Sequence, residues 1–177
     1  NMLLNHLFGA RHKFIGTTDE STRTLAMEEL AHDLKAHGRS PYIINNGASV
    51  PLGAVGYTEA AREVREQSDS LGLDVRHVVI VGAMGGTASG LVYGAALQNH
   101  PFHVHVVSVE YPREELARRI DGLVSGLVKL TGLEPVAPIN EVMTIYDEYL
   151  GEGYAIPTSR SKDMLYSMAR LEGILLE

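Results

Sequence analysis

The sequence predicts an α/β protein with an open, mainly parallel twisted sheet and flanking helices. Three observations carry that prediction. Val78–Val81 is an unbroken apolar run, the kind of strand that a parallel sheet buries on both faces. A glycine-rich turn and a small-residue stretch from Thr87 to Gln98 follow it, and then a second apolar strand from His103 to Glu110. Together these make a βαβ unit, for which a right-handed crossover is expected.

The other elements follow in chain order. Leu3, Leu4 and Leu7 share one side of a short helix that ends at Gly9. Asn1-Met2-Leu3-Leu4 has no basic lead or cleavage site, so it does not read as a signal peptide. Lys13-Phe14-Ile15 reads as a short strand. From Leu25 to Ala36 the apolar residues fall at 26, 27, 30, 31 and 34, the helical period, and Gly38 is placed to end that helix. Pro41–Ile44 reads as another strand. Asn45 to Gly53 is rich in turn formers and marks a lobe boundary.

Beyond that boundary, Tyr57 to Gln67 is a helix with a Glu/Arg-rich face. Arg113 to Lys129 is helical, although Gly122 and Gly126 weaken it. Val142 to Tyr146 is a short strand, and Ser161 to Leu171 a helix closed by Gly173. Ile174-Leu175-Leu176-Glu177 reads as the opening of a buried strand. Both ends look cut, so the expectation is an α/β fold truncated at each end.

Composition narrows the function. With 177 residues, the chain suits one ordinary domain or two small lobes. A content of 45% apolar and 21% charged residues excludes a disordered chain. No apolar run approaches the roughly 18 residues of a membrane span. Lys+Arg 15 against Asp+Glu 22 gives a net charge of −7, with no basic cluster, which speaks against nucleic acid as a partner. The absence of cysteine excludes disulfides, zinc–thiolate sites and a Cys nucleophile, and fits a cytoplasmic location.

The strongest chemical signal is Val81-Gly82-Ala83-Met84-Gly85-Gly86-Thr87-Ala88-Ser89-Gly90, between a buried strand and a helix. Ligands of open α/β sheets sit at the carboxyl ends of the strands. Gly85 and Gly86 let the backbone approach a ligand and aim several N–H groups at it. Thr87 adds a hydroxyl where the helix N-terminus carries partial positive charge. Five small or hydroxylated residues favour a phosphate over a plain tight turn. A Walker A loop is excluded, because no lysine lies between Lys35 and Lys129. Glycines at 82, 85, 86 and 90 depart from G-x-G-x-x-G. Glu110, twenty residues after Gly90, is the one feature that speaks for a dinucleotide.

The segment from Pro41 through Asn45-Asn46-Gly47-Ala48-Ser49 to Tyr57 resembles the lobe-joining segment of the D-cysteine desulfhydrase and 1-aminocyclopropane-1-carboxylate (ACC) deaminase family. These are pyridoxal 5'-phosphate enzymes of fold type II, the tryptophan synthase β type. The Gly82–Gly90 loop is similar to that family's cofactor-phosphate loop, Gly151–Pro157 to its tyrosine segment, and Leu171–Leu176 to the run before its last active-site strand. Asn1–Ala10 resembles a helix of its smaller lobe.

The resemblance implies that residues 1–46 are the remainder of a smaller lobe and residues 47–177 most of a larger, cofactor-binding lobe. It implies pyridoxal phosphate as cofactor, held through Ala83, Met84, Gly85, Gly86 and Thr87, with Tyr154 facing the substrate as acid/base or orienting hydroxyl. It further implies a small amino-acid substrate, a lyase or deaminase reaction and a possible homodimer. The family's Schiff-base lysine would lie upstream of Asn1, and Lys13, Lys35, Lys129 and Lys162 stand in other contexts. The 177-residue chain is therefore expected to be inactive alone. A non-catalytic phosphate- or dinucleotide-binding module, built on the Gly82–Gly90 loop with Glu110, is the alternative from another class.

Other polar residues read as structural. His103 and His105 share a strand face, and with His100 suggest a metal cluster, but no further ligand has clear spacing. Asp147, Glu148 and Glu152 read as a solvated loop, and Arg118-Arg119 as helix surface. Tyr57 and Tyr93 read as core or interface residues. Asn46 and Ser49, at the lobe junction, suit either a cleft or turn chemistry.

Overall fold

The computed structural model describes residues 2–17, 19–99 and 101–176, so the readings on Asn1, His100 and Glu177 lie outside the described residues. The chain divides into two units, Asn1–Asn45 and Asn46–Glu177.

The first unit holds helices α1 (Met2–Leu7) and α2 (Glu20–Ala36). Helix α2 begins five residues before its expected start because Asp19 caps it. The Asp19 carboxylate accepts the Thr22 amide at 2.7 Å and the Ser21 hydroxyl at 2.6 Å. Gly38, at φ +75°, ends the helix as expected. The strands expected at Lys13–Ile15 and Pro41–Ile44 do not form. A strand exists only through a ladder with a neighbour, and neither segment finds one among the described residues.

The second unit begins with a single 3-10 turn, Asn46–Ala48, and helix α3 (Pro51–Leu71). Proline at the first helical position costs no hydrogen bond and pre-sets φ, so the helix starts six residues before the expected Tyr57. Strand β1 (His77–Gly82), helix α4 (Gly86–Leu97) and strand β2 (His103–Ser108) form the expected βαβ unit. Helix α5 (Arg113–Thr131) runs unbroken through both glycines, because Gly126 packs against Pro51. A short helix α6 (Ile139–Val142), strand β3 (Met143–Tyr146) and helix α7 (Ser159–Leu171) complete it. The strand opening expected at Ile174 is exposed irregular chain, with Leu175 87% exposed.

The sheet is parallel, in the order β1-β2-β3, with Ile80 beside Val106 and Val106 beside Ile145. Successive right-handed crossovers in that order put α4 and α5 on the same face. The core lies there: Val104, Val106 and Ile145 pack with Leu91, Val92, Tyr93, Leu116, Ile120 and Leu127. Burial of all of Val78–Val81 is therefore corrected. Val79 and Val81 point to the opposite face and are 68% and 64% exposed. His103 and His105 lie on that face too, where His105 bridges His77 (3.0 Å) and the Tyr146 hydroxyl (2.8 Å), and His103 meets the Thr144 hydroxyl (2.8 Å). No helix among the described residues is long and apolar enough to cross a membrane.

Candidate functional site

All three strands run the same way, so their carboxyl ends share one edge of the sheet. From that edge emerge the 83–87 loop, the bend at 109–112 and the connection at 147–158. Gly82 ends β1 in contact with the core. A Cβ there would fall 2.5 Å from Val106 Cγ1 and 2.9 Å from Leu116 Cδ2. Ala83, Met84 and Gly85 then turn the chain into α4.

Gly85 is the N-cap of α4, at φ 90° and ψ −6°, and no side chain among the described residues caps the helix. The first helical bond runs from the Ser89 amide to the Gly85 carbonyl at 2.8 Å. The amides of Gly86, Thr87 and Ala88 precede it and have no carbonyl within the helix to bind. Gly86 fits tightly beneath Ser49, whose Oγ would lie 2.8 Å from an added Cβ. Free amides, a left-handed glycine and a helix N-terminus suit the oxygens of a phosphate monoester. The loop thus fits the phosphate of a pyridoxal cofactor.

Around the loop, Tyr111 places its hydroxyl 3.5 Å from Met84 Sδ, and the Arg119 guanidinium carbon lies 4.1 Å above the Tyr111 ring. Arg119 is therefore not the plain helix surface read from the sequence; its side chain is 24% exposed. Nothing in the sequence pattern marks Tyr111, and the Arg118-Arg119 pair reads there as helix surface rather than an anion site. At the end of β3, Asp147 caps α5 from outside, accepting the Arg113 amide at 2.9 Å. That backbone hydrogen bond, with the Arg113 charge, holds the Asp147 carboxyl below the usual carboxylate range.

Glu110 lies in the bend beyond β2, two residues past the end of the strand, rather than closing it. The Ser108 hydroxyl, bonded to the Tyr111 carbonyl at 2.6 Å, turns the chain there. Tyr154 sits in the connection after β3, 64% exposed, and no hydrogen bond joins it to the 83–87 loop among the described residues. Lys129 and Lys162, the lysines of this unit, are exposed on α5 and α7.

An open parallel sheet with a glycine loop at its carboxyl edge is an α/β arrangement suited to anchoring a phosphate. A family model described as pyridoxal-phosphate dependent enzyme matches residues 1–177. The chain belongs to that family.

The chain is similar to the D-cysteine desulfhydrase of Serratia proteamaculans, 30% identical over 179 residues, covering 100% of this chain and 52% of that protein. It is 30% identical over 177 residues to a provisionally assigned ACC deaminase of Pyrococcus abyssi, again covering 100% of this chain and 52% of the relative. The crystal structure of an ACC deaminase homologue superposes with a TM-score of 0.87 at 26% identity, over 99% of this chain and 51% of that one. The chain thus spans about half the length of the relatives it matches.

Proposed function

We propose that the chain carries the cofactor-phosphate site of a pyridoxal-phosphate lyase or deaminase of the D-cysteine desulfhydrase type. Such an enzyme converts a small thiol-bearing amino acid and water to a 2-oxo acid, ammonia and sulfide. The supporting observation is the uncapped first turn of α4 behind Gly85 and Gly86, in a chain that belongs to a pyridoxal-phosphate family.

When bound, pyridoxal phosphate supplies an electron sink for charge developing on the amino acid's carbon skeleton. The chain's own residues do the holding. Backbone amides along Ala83–Thr87 and the Thr87 hydroxyl bind the phosphate oxygens, and the α4 dipole favours their charge. Tyr154 presents its phenol to the substrate as acid/base or orienting group. The Schiff-base amine comes from polypeptide outside these 177 residues.

ACC deaminase or sulfo-lyase chemistry at the same site is the nearest alternative, and it rests on the ACC deaminase names among the relatives. On this reading residues 1–46 belong to a smaller lobe and 47–177 to the larger one, in a cytoplasmic enzyme that can pair as a homodimer.

The test is a titration of the 177-residue chain with pyridoxal phosphate, pyridoxal and NAD, each followed by borohydride reduction. Saturable binding that needs the phosphate, with no reducible adduct, is expected. An adduct on Lys13, Lys35, Lys129 or Lys162 contradicts the assignment of the amine. Saturable NAD binding that is weakened by Glu110→Ala favours the dinucleotide module instead.

A further inference from the structure

The Ala83–Gly86 stretch has one side chain longer than a methyl group, that of Met84. Its sulfur is met from two elements. The Tyr111 hydroxyl donates to Sδ at 3.5 Å, and Arg119 Nη1 lies 4.0 Å away. The two partners brace each other, because the Arg119 guanidinium carbon lies 4.1 Å above the Tyr111 ring. Each is also fixed from behind. Glu115 accepts Arg119 Nε at 2.8 Å, and the fully buried Ser108 donates its hydroxyl to the Tyr111 carbonyl at 2.6 Å. The same helix face closes on Gly85, where an added Cβ would lie 3.4 Å from Ile120, 3.6 Å from Leu123 and 3.7 Å from Arg119 Cβ.

We propose that Tyr111 and Arg119 are positioning residues for the phosphate loop, gripping it through the Met84 thioether. The proposal rests on the phosphate-binding reading of that loop. A loop with two consecutive glycines has wide conformational freedom, and an anion that orders it must offset that freedom. The Met84 clip holds the turn from the bend after β2 and from α5, so its amides converge before any anion arrives. Thioether contacts of this kind are individually modest, and here they add to the packing of α5 on Gly85 and of Ser49 on Gly86.

The experiment uses the full 177-residue chain as wild type, Tyr111→Phe, Met84→Leu, the double variant and Arg119→Lys. Amide hydrogen exchange without ligand is read at residues 84–88, with Val104 and Val106 of β2 as the folding control. Exchange at 84–88 should rise about threefold to tenfold in each single variant, with no further rise in the double variant and β2 unchanged. Affinity for pyridoxal phosphate, and for inorganic phosphate as competitor, should fall by a similar factor. Arg119→Lys keeps the charge but loses the planar stack, so it should behave like the others.

Unchanged exchange at 84–88 in Tyr111→Phe and Met84→Leu overturns the proposal. So do additive effects in the double variant, or full retention of affinity by Arg119→Lys. If the wild-type chain binds neither pyridoxal phosphate nor phosphate, the reading of the site fails, while the exchange measurement still decides whether the clip exists.

Discussion

Gly94 lies so close to Thr58 that a Cβ added to it would fall 2.6 Å from the Thr58 carbonyl oxygen. It is the last of three glycines spaced four apart on one face of α4. Gly86 faces Ser49, Gly90 faces Ala54 and Tyr57, and Gly94 faces Thr58 and Ala61. Residues four apart stack along one helix face, so the stripe lets the backbones of α3 and α4 approach over two turns. Its first member, Gly86, is the first residue of α4 and lies in the 83–87 loop, so the helix contact and the candidate phosphate loop share one surface.

Gly94→Ala should be strongly destabilising. A methyl group there meets backbone at Thr58 as well as the Ala61 Cβ at 2.7 Å, so the helices must separate. We expect a loss of about 2–4 kcal/mol in urea unfolding. Gly122→Ala is the control. It has open space around it in the same kind of helix, and should gain about 0.5–1 kcal/mol. Equal stability of Gly94→Ala and wild type would contradict the close approach.

Thr58→Val should be tolerated or stabilising. Thr58 Oγ1 is buried at the same helix contact and has no hydrogen-bond partner among the described residues. An unpaired buried hydroxyl costs about 1–3 kcal/mol, and valine removes it at nearly the same shape. The expected outcome is a gain of about 1 kcal/mol in urea unfolding. A loss of that size would mean the hydroxyl has a partner after all.

Gly85→Ala tests the loop without disturbing the glycine stripe. At φ 90° an alanine is strained by about 1–3 kcal/mol, while its methyl group would reach Ile120 only at van der Waals distance, 3.4 Å. Relaxing that strain turns the loop, so affinity for pyridoxal phosphate should drop about tenfold while α4 stays folded. Binding indistinguishable from wild type would separate the loop from the phosphate.

Acid should release α2 late. Hydrogen bonds from the Ser21 hydroxyl, the Thr22 amide and the Thr22 hydroxyl bring the Asp19 carboxyl down to about 2, from an ordinary 3.8. A lowered folded-state value means the cap's contribution is fully present above the ordinary value and is lost as pH falls toward 2. Carboxyl-carbon titration should place the Asp19 midpoint near 2, and exchange of the first-turn amides of α2 should speed up across the same window. Asp19→Ala should abolish that dependence.

Much of this was legible in the chain. Val78–Val81, the Thr87–Gln98 helix and the His103 strand were readable because helix period, apolar runs and glycine punctuation are local properties. The same holds for the loop at 82–90, whose small residues state their own conformational freedom. The strands expected at Lys13–Ile15 and Pro41–Ile44 were not decided locally, because a ladder requires a neighbour that no single segment encodes. Nor did Val79 and Val81 announce their exposure; that followed from both crossovers falling on one face.

Sequence alone thus determined the α/β class, the order of the central elements and the loop that suits a phosphate. The tertiary structure decided what surrounds that loop. Ser49, Tyr111 and Arg119 stand 37, 27 and 35 residues from Gly86, Met84 and Met84 respectively, and no periodicity connects them. Their meeting is set by the close approach of α3 to α4 and by α5 returning across the sheet, which arise from packing between elements.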